Sequence, residues 1–237
     1  MEPILVYGFP LGSSMGLVAA CEWLGQPYRL SRVDMLADMK SAAYGQLNGR
    51  RETPVLITDD GRAITETMAI ARWLQARDVE RRISFEDAAA TDRMHQLMGF
   101  INSSFTGAFS TLWSALEMEQ ADPAYRETLR THGRQAVAKR HAQLEAMIGN
   151  TPFLVGPRPS LADALLVGVA RWADYHKAVD PAAYPRLMAL RRRIEADPAV
   201  RFAQAIEDGE RPKGSGALRG HVALADVIAQ FATRQAA

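Results

Sequence analysis

The hydrophobic pattern of this chain changes near residue 80, and that change constrains the fold more than any other feature. Before it, short apolar runs alternate with helical stripes, whereas the later residues keep a helical period. The chain, at 237 residues, is also longer than one average domain. We therefore expect an α/β domain over 1–78, a linker over 79–86 and an all-helical domain over 87–237.

The first domain is predicted to have the element order β-α-β-α-β-β-α. Residues 4–7 form an apolar run of strong β propensity, and an apolar stripe at helical spacing follows over 17–24. An Asp-Asp-Gly sequence at 59–61 separates two further apolar runs, which indicates an antiparallel hairpin. Helices are expected over 39–47 and 66–77.

Amphipathic segments succeed one another through the second domain, and several of them begin at a proline, as helices often do. They cover residues 91–119, 123–148, 160–176, 185–196 and 198–207. A C-terminal extension over 209–237 begins with a stretch rich in glycine, which predicts a flexible connection. The last amphipathic stretch, 222–231, is expected to close a pocket, join a dimer or cover part of the core.

Charge and composition exclude several classes of partner. The 28 basic and 27 acidic residues give a net charge of +1, which creates no strong field for nucleic acid or an anionic membrane. The first residues do not resemble a signal peptide, and no stretch approaches the roughly 18 apolar residues of a membrane span. The lone Cys21, interpreted as a small core residue, excludes an internal disulfide, and the five histidines lack a metal-ligand spacing. We expect a cytoplasmic protein with no metal.

Two serines lie where the first strand passes through a loop into the first helix. Ser13 and Ser14 stand at the helix N-terminus, where free N–H groups and the helix dipole favour an anion such as a thiolate. One serine can cap the helix, which leaves the other hydroxyl free. Tyr7, in the preceding strand, is interpreted first as strand packing.

Two further elements carry polar groups at strand ends. Pro54 opens a strand, where it cannot donate to the sheet, and the Thr53-Pro54 bond suits a cis conformation. Glu66 and Thr67 stand where a later strand passes into a helix. There, the threonine can be an N-cap and the acid a favourable first-turn charge.

In this order, the three elements resemble the N-terminal domain of the soluble glutathione S-transferases, of a bacterial serine-type or β-like kind. Residues 154–156 and 160–163 also resemble the N-capping box in the helical domain of that family. The resemblance covers nearly the whole chain. It implies a thioredoxin-like β-α-β-α-β-β-α domain followed by an all-helical bundle, with glutathione as co-substrate, a small electrophile as second substrate, and a homodimer.

The resemblance also implies roles for the polar residues at the strand ends. The backbone of Thr53, before a cis Pro54, would pair with the cysteinyl unit of glutathione. Glu66 and Thr67 would hold its γ-glutamyl carboxylate and amine.

Glu52 differs from the pattern of that family, because relatives often have a glutamine at this place. An acid there would repel a carboxylate of glutathione unless Arg50 or Arg51 compensates its charge.

The resemblance makes Ser13 the first candidate for the hydroxyl that activates the thiol, with Ser14 second and Tyr7 third. The hydroxyl would donate a hydrogen bond to the sulfur, so no catalytic base is required. Three aromatic side chains of the first long helix are expected to line the pocket for the electrophile: Phe105, Phe109 and Trp113.

Two alternatives remain open at this stage. A binding module without catalysis could use the same fold, and the acid at Glu52 favours it. A glutathione-dependent reductase, isomerase or dehalogenase would use the same activated thiol with another partner.

Overall fold

The computed structural model of the chain describes residues 1–235, which divide into two compact units. The first unit combines residues 1–86 with the residues from Ala196 onward, and the second comprises Asp87–Glu195. The expected helical domain over 87–237 therefore differs from the structure at its C-terminal end. The residues after Glu195 belong with the N-terminal residues. They contribute two helices and one strand, and the strand extends the α/β sheet at its edge.

The first unit is built on a mixed sheet. Its strands in the described residues are β1 (Ile4–Phe9), β2 (Tyr28–Asp34), β3 (Val55–Ile57), β4 (Ala63–Thr65) and β5 (Leu218–His221). They lie in the order β4-β3-β1-β2-β5. β1 pairs parallel with β2, β2 pairs parallel with β5, and the hairpin β3-β4 pairs antiparallel with β1. This is the expected thioredoxin-like sheet, extended at one edge by a strand from the C-terminal part of the chain.

Of the three helices in the predicted β-α-β-α-β-β-α order, the first and the last are present: α1 (Met15–Leu24) and α2 (Thr67–Arg77). α1 is buried along almost its whole length and ends at Gly25, which takes the left-handed conformation that terminates many helices. Cys21 is buried within α1, where burial raises the pKa of its thiol to about 12. It is a core residue, as expected.

The helix predicted over 39–47 is wrong. The structure has two short 3₁₀ turns there, Asp38–Lys40 and Tyr44–Gln46. The Ser41 hydroxyl accepts the backbone N–H of Tyr44 at 3.1 Å and so takes a donor that a continuous helix would need.

The second unit is helical. Its helices are α3 (Ala88–Gly99), α4 (Ser110–Glu117), α5 (Pro123–Met147), α6 (Leu161–Ala170), α7 (Trp172–Tyr175) and α8 (Pro185–Glu195). The single helix expected over 91–119 is interrupted by a π-helical segment, Phe100–Phe105, in which the backbone hydrogen bonds span five residues rather than four. The segment expected over 160–176 breaks between α6 and α7.

The N-capping box expected at the start of α6 is present. The Ser160 N–H and hydroxyl both donate to Asp163, at 2.9 and 2.8 Å, and the Leu154 N–H donates to its other oxygen at 3.0 Å. Complete burial raises the pKa of Asp163 to about 6 in spite of these bonds.

The C-terminal residues complete the first unit through α9 (Pro198–Glu207), β5 and α10 (Leu224–Gln235). The connection before β5, expected to be flexible, is held by a buried carboxylate. Glu22 accepts the Ser215 N–H at 2.6 Å and the Tyr28 hydroxyl at 2.6 Å. α10 then packs on the sheet face formed by alternate residues of the strands, where Val227 joins a cluster with Val6 and Val33. Of the three roles expected for this stretch, the structure shows that it covers the core.

No helix within residues 1–235 is long and apolar enough to cross a membrane.

The contact between α10 and the sheet predicts the effect of a core substitution. Val227→Ala removes two methyl groups from a side chain that is only 1% exposed. After the better helix propensity of alanine is included, the free energy of unfolding should fall by about 1.5 kcal/mol. Urea denaturation monitored by tryptophan fluorescence would measure this change.

Gln230→Ala, at an exposed position of the same helix, is the matched control and should change the free energy of unfolding by less than about 0.5 kcal/mol. Equal effects of the two substitutions would contradict the packing of α10 on the sheet.

Candidate functional site

The loop between β1 and α1 makes a sharp turn that the local sequence explains. The Phe9–Pro10 bond is cis and Leu11 has a positive φ of 57°. Gly12 is required because a Cβ at this position would overlap the carbonyl oxygen of Gly8. The turn brings the next residues back over the end of β1.

Ser14 is the hydroxyl that holds this turn. Its side chain is fully buried, and its Oγ accepts the Gly8 N–H at 3.0 Å. It stands at the N-cap position of α1 but makes no capping bond with its side chain, so the expected capping role is wrong in that detail. A buried hydroxyl with this partner is not available to a ligand.

Ser13 is partly exposed at the N-terminus of α1. Among residues 1–235, its hydroxyl has no hydrogen-bond partner, whereas its carbonyl accepts the Gly16 N–H. The neighbouring serine holds the turn rather than capping the helix, and this hydroxyl is left free. The helix dipole at this end favours a negative charge beside it.

Tyr7, the third candidate, lies in the core of the first unit. It is 1% exposed, and its hydroxyl donates to the Ile206 carbonyl at 3.3 Å. Burial raises its pKa to about 12, although the nearby Arg32 acts in the opposite direction. The tyrosine therefore packs the sheet against α9, as the sequence analysis first interpreted it.

Glu207, at the end of α9, holds the loop from the other side. The Gly12 N–H donates to Glu207 Oε1 at 2.9 Å, and this carboxylate is almost completely buried. Arg32 Nη2 donates to the Glu207 carbonyl at 2.8 Å, and its guanidinium lies 3.4 Å from the centre of the Phe9 ring. Glu207 was not predicted from the sequence, because it matches no motif and lies 195 residues from its partner.

The second element, at the start of β3, has the expected conformation. The Thr53–Pro54 bond is cis, which confirms that prediction. The preceding carbonyl, of Glu52, accepts the Tyr44 hydroxyl at 2.8 Å and Asn48 Nδ2 at 2.9 Å, so the backbone here is held on one side. The antiparallel pairing of β1 with β3 brings Thr53 to the end of β1, where its Oγ1 would contact a Cβ on Gly8.

The third element is marked by an unusual backbone conformation. Glu66 has φ 72° and ψ 123°, a region that residues with a side chain seldom adopt, and it stands at the N-cap position of α2. Such conformations are costly and persist only where the surrounding structure holds them. They cluster at functional sites. Neither Glu66 nor the partly buried Thr67 makes a side-chain capping bond at the start of this helix.

Arg50 links the two acids beside these elements. Its Nη2 lies 2.5 Å from Glu52 Oε2 and 2.5 Å from Glu66 Oε1. The hydrogen bond with Glu52 is the main reason that the pKa of Arg50 is raised. The compensation of the Glu52 charge that the sequence analysis required is therefore provided by Arg50. Arg51 instead donates to the Lys40 carbonyl at 3.1 Å.

The expected pocket role of Phe105 and Phe109 is wrong, because both side chains are fully buried in the second unit. Phe105 packs on the His141 ring at 4.7 Å between centroids, and Phe109 meets Trp172 edge-on at 5.6 Å. A buried helix face and a pocket wall have the same sequence periodicity, so the sequence could not separate them. Trp113 remains partly exposed.

The buried histidine of this cluster does not indicate a metal. His141 Nδ1 lies 2.9 Å from the Val137 carbonyl, and burial lowers the pKa of the imidazole to about 4. Among the described residues, no three histidine, cysteine, aspartate or glutamate side chains are grouped as metal ligands.

Family models for the N-terminal and C-terminal domains of glutathione S-transferase match residues 14–77 and 103–198, respectively. The first match contains Thr53, Glu66 and Thr67 and begins one residue after Ser13. The two matches together cover well over half of the chain.

Individual proteins agree with these matches. Glutathione S-transferase GstA of Escherichia coli O157:H7 is 23% identical over 186 residues, which are 77% of this chain and 88% of that protein. A crystal structure of a glutathione transferase from Methylococcus capsulatus str. Bath is 26% identical, has a TM-score of 0.74, and is matched over 87% of this chain and 98% of its own.

A homologue from Sulfitobacter, solved with bound glutathione, has a TM-score of 0.76 at 24% identity over 88% of this chain and 98% of its own. The two domain matches, on a fold shared with these structures, show that the chain belongs to the glutathione S-transferase family.

Proposed function

We propose that this protein binds reduced glutathione and activates its thiol for attack on a small, mostly apolar electrophile. The observation that carries this proposal is the free hydroxyl of Ser13, held at the N-terminus of α1 by a loop that two buried side chains fix. The family resemblance adds a homodimer in the cytoplasm as the expected assembly, in keeping with the two-fold symmetry of most oligomers.

Thiol activation follows from the donor at this position. The thiolate is the nucleophile, and a thiol with an ordinary pKa near 8.5 is mostly protonated at neutral pH. A hydrogen bond from the Ser13 hydroxyl to a charged sulfur contributes about 1.5–3 kcal/mol, which lowers the thiol pKa by roughly one to two units. The thiol proton leaves to solvent, and the sulfur then forms a bond with the electrophilic carbon while the leaving group departs.

The remaining contacts would hold the peptide part of glutathione. The Thr53 backbone, beside the cis Pro54, would pair with the cysteinyl unit. Glu66 and Thr67 would receive the γ-glutamyl amine and carboxylate at the start of α2, where the helix dipole favours the carboxylate. A relative with the same fold has been solved with bound glutathione, which supports glutathione as the ligand.

Ser13→Ala tests the mechanism directly. Loss of the donor should raise the pKa of the bound glutathione thiol by about one to two units and lower conjugation with a reactive aryl halide roughly ten- to hundredfold. Absorbance of the thiolate across a pH titration measures the pKa, and initial rates measure the conjugation. Glutathione affinity should change less, because the other contacts remain.

Tyr7→Phe is the control, since it removes a hydroxyl that already donates to Ile206. It should leave the thiol pKa unchanged. A fully active Ser13→Ala variant beside an inactive Tyr7→Phe variant would show that the hydroxyl has been assigned wrongly.

Arg50→Gln tests the compensation of Glu52. The exposed ion pairs of Arg50 add little to stability, so the melting temperature should stay the same. The uncompensated Glu52 carboxylate should repel the carboxylates of glutathione, however, and raise its KM about fivefold with little change in kcat. Steady-state kinetics at low ionic strength would measure this effect, and added salt should reduce it.

Arg62→Gln is the matched control, because Arg62 forms an equally exposed pair with Asp60 in the β3-β4 hairpin. The double variant Arg50→Gln with Glu52→Gln should recover most of the affinity. If that double variant binds glutathione as weakly as Arg50→Gln, charge compensation at Glu52 is not the role of Arg50.

Glu207→Ala tests the loop on which Ser13 lies. It leaves the buried Gly12 N–H without its acceptor, which should cost about 1–3 kcal/mol of stability and lower kcat about tenfold by loosening the loop. Glu207→Gln keeps an acceptor oxygen and should retain most activity. Asp208→Ala removes an exposed neighbouring acid as a control. An unchanged kcat in Glu207→Ala would refute this positioning role.

A further inference from the structure

A second cleft in the first unit has no part in the proposed glutathione site. It has a volume of about 550 Å³ and lies beside β2, the end of α9 and β5. Its lining contains neither Ser13, Thr53, Glu66 nor Thr67. Residues 209–212 and β5 provide most of its wall, so the cleft exists because the C-terminal residues fold back onto the sheet.

Basic side chains from three segments converge on this cleft. Arg32 comes from β2, Arg211 from the connection after α9, and His221 from the end of β5. The two arginines both lower the pKa of His221, after a larger contribution from burial, so the three groups are close enough to interact. Glu210 is the acid in the lining.

Neither arginine is neutralised by an ion pair with a carboxylate in residues 1–235. Arg32 donates a hydrogen bond to a backbone carbonyl, interacts with the Tyr7 hydroxyl and covers the Phe9 ring, which leaves further N–H donors of its guanidinium for a ligand. Arg211 has no hydrogen bond or ion pair among these residues. Like charges gathered at a concave surface repel each other and attract an anion, which removes the repulsion when it binds.

Apolar groups complete the cleft. Ile206, Pro212 and Leu218 lie in the same lining as the basic groups. The volume lies within the range of sites for small organic ligands, which combine an apolar wall with a few polar groups that fix orientation. Arginine is suited to carboxylates and phosphates, because its planar group donates two parallel hydrogen bonds.

We propose that this cleft binds a small organic anion. Arg32 and Arg211 hold its carboxylate or phosphate, and its apolar part packs against the apolar wall. The proposal does not depend on thiol activation, since Ser13, Thr53, Glu66 and Thr67 do not line the cleft, and Tyr7, which does line it, has its hydroxyl committed to the Ile206 carbonyl.

The test is a titration of the full chain with benzoate, phenyl phosphate, inorganic phosphate and neutral benzamide. The His221 imidazole resonances report on binding. At least one of the two aromatic anions should shift them and raise the pKa of His221, since an anion favours the charged imidazole. Which of the two binds more tightly distinguishes a carboxylate ligand from a phosphate ligand. Benzamide should have no effect, and inorganic phosphate should bind more weakly than the preferred aromatic anion.

Arg211→Gln should weaken binding of the preferred probe about fivefold without affecting folding, because the side chain has no partner to lose. Lys213→Gln removes a nearby exposed cation that does not line the cleft and should leave the Kd about unchanged. Saturating glutathione should leave the Kd unchanged as well.

Three results would overturn the proposal: no shift of His221 with either aromatic anion at millimolar concentration, equal loss in the two charge variants, or displacement of the probe by glutathione. Benzamide or inorganic phosphate binding as tightly as the aromatic anions would overturn it too. Full conjugation activity in Ser13→Ala would contradict the proposed thiol activation and, with probe binding intact, would leave the anion cleft standing, so the two proposals fail independently.

Discussion

The hydrogen bond between the buried Glu207 carboxylate and the Gly12 N–H connects the two ends of the first unit, and the candidate site depends on it. A buried carboxylate is costly unless its oxygens are bonded, so this acceptor strongly favours one position of the loop. The same residue accepts Arg32 through its carbonyl, which brings the Phe9 ring under a guanidinium. Glu22 plays a similar part for the connection before β5, where it accepts the Ser215 N–H.

Three hydroxyl groups near the end of β1 differ in their hydrogen bonding, and the difference follows their burial. The Tyr7 hydroxyl is committed to a carbonyl of α9, and the Ser14 hydroxyl is committed to the Gly8 N–H. Ser13 is left partly exposed at the helix N-terminus. Sequence alone could rank these groups by resemblance, but the ranking gains a physical reason only when the partners of the other two are known.

Features of the fold that depend on neighbouring residues could be predicted from the sequence, whereas features that depend on residues far apart in the chain could not. Local signals predicted the helix at 198–207 with its observed bounds and the cis bond before Pro54, because a proline acts on its own neighbours. β5 was missed, since a short strand in a glycine-rich stretch forms only where β2 offers an edge. The role of Glu207 was missed for the same reason: its partner is far away in the chain. Phe105 was assigned to a pocket because periodicity marks a buried face without saying what buries it.

The parallel pairing of β2 with β5 has a consequence for how the chain can fold during synthesis. The first unit is discontinuous, and its sheet gains its last strand only after the residues of the second unit have left the ribosome. Until then, β2 is an unpaired edge and the face beneath α10 is open, a state that favours association with other chains. The second unit is continuous and built from helices with mostly local contacts, which form faster than distant strand pairs. We therefore expect the helical unit to acquire its structure while the nascent α/β sheet is still incomplete, so that chaperone binding would fall on the N-terminal residues.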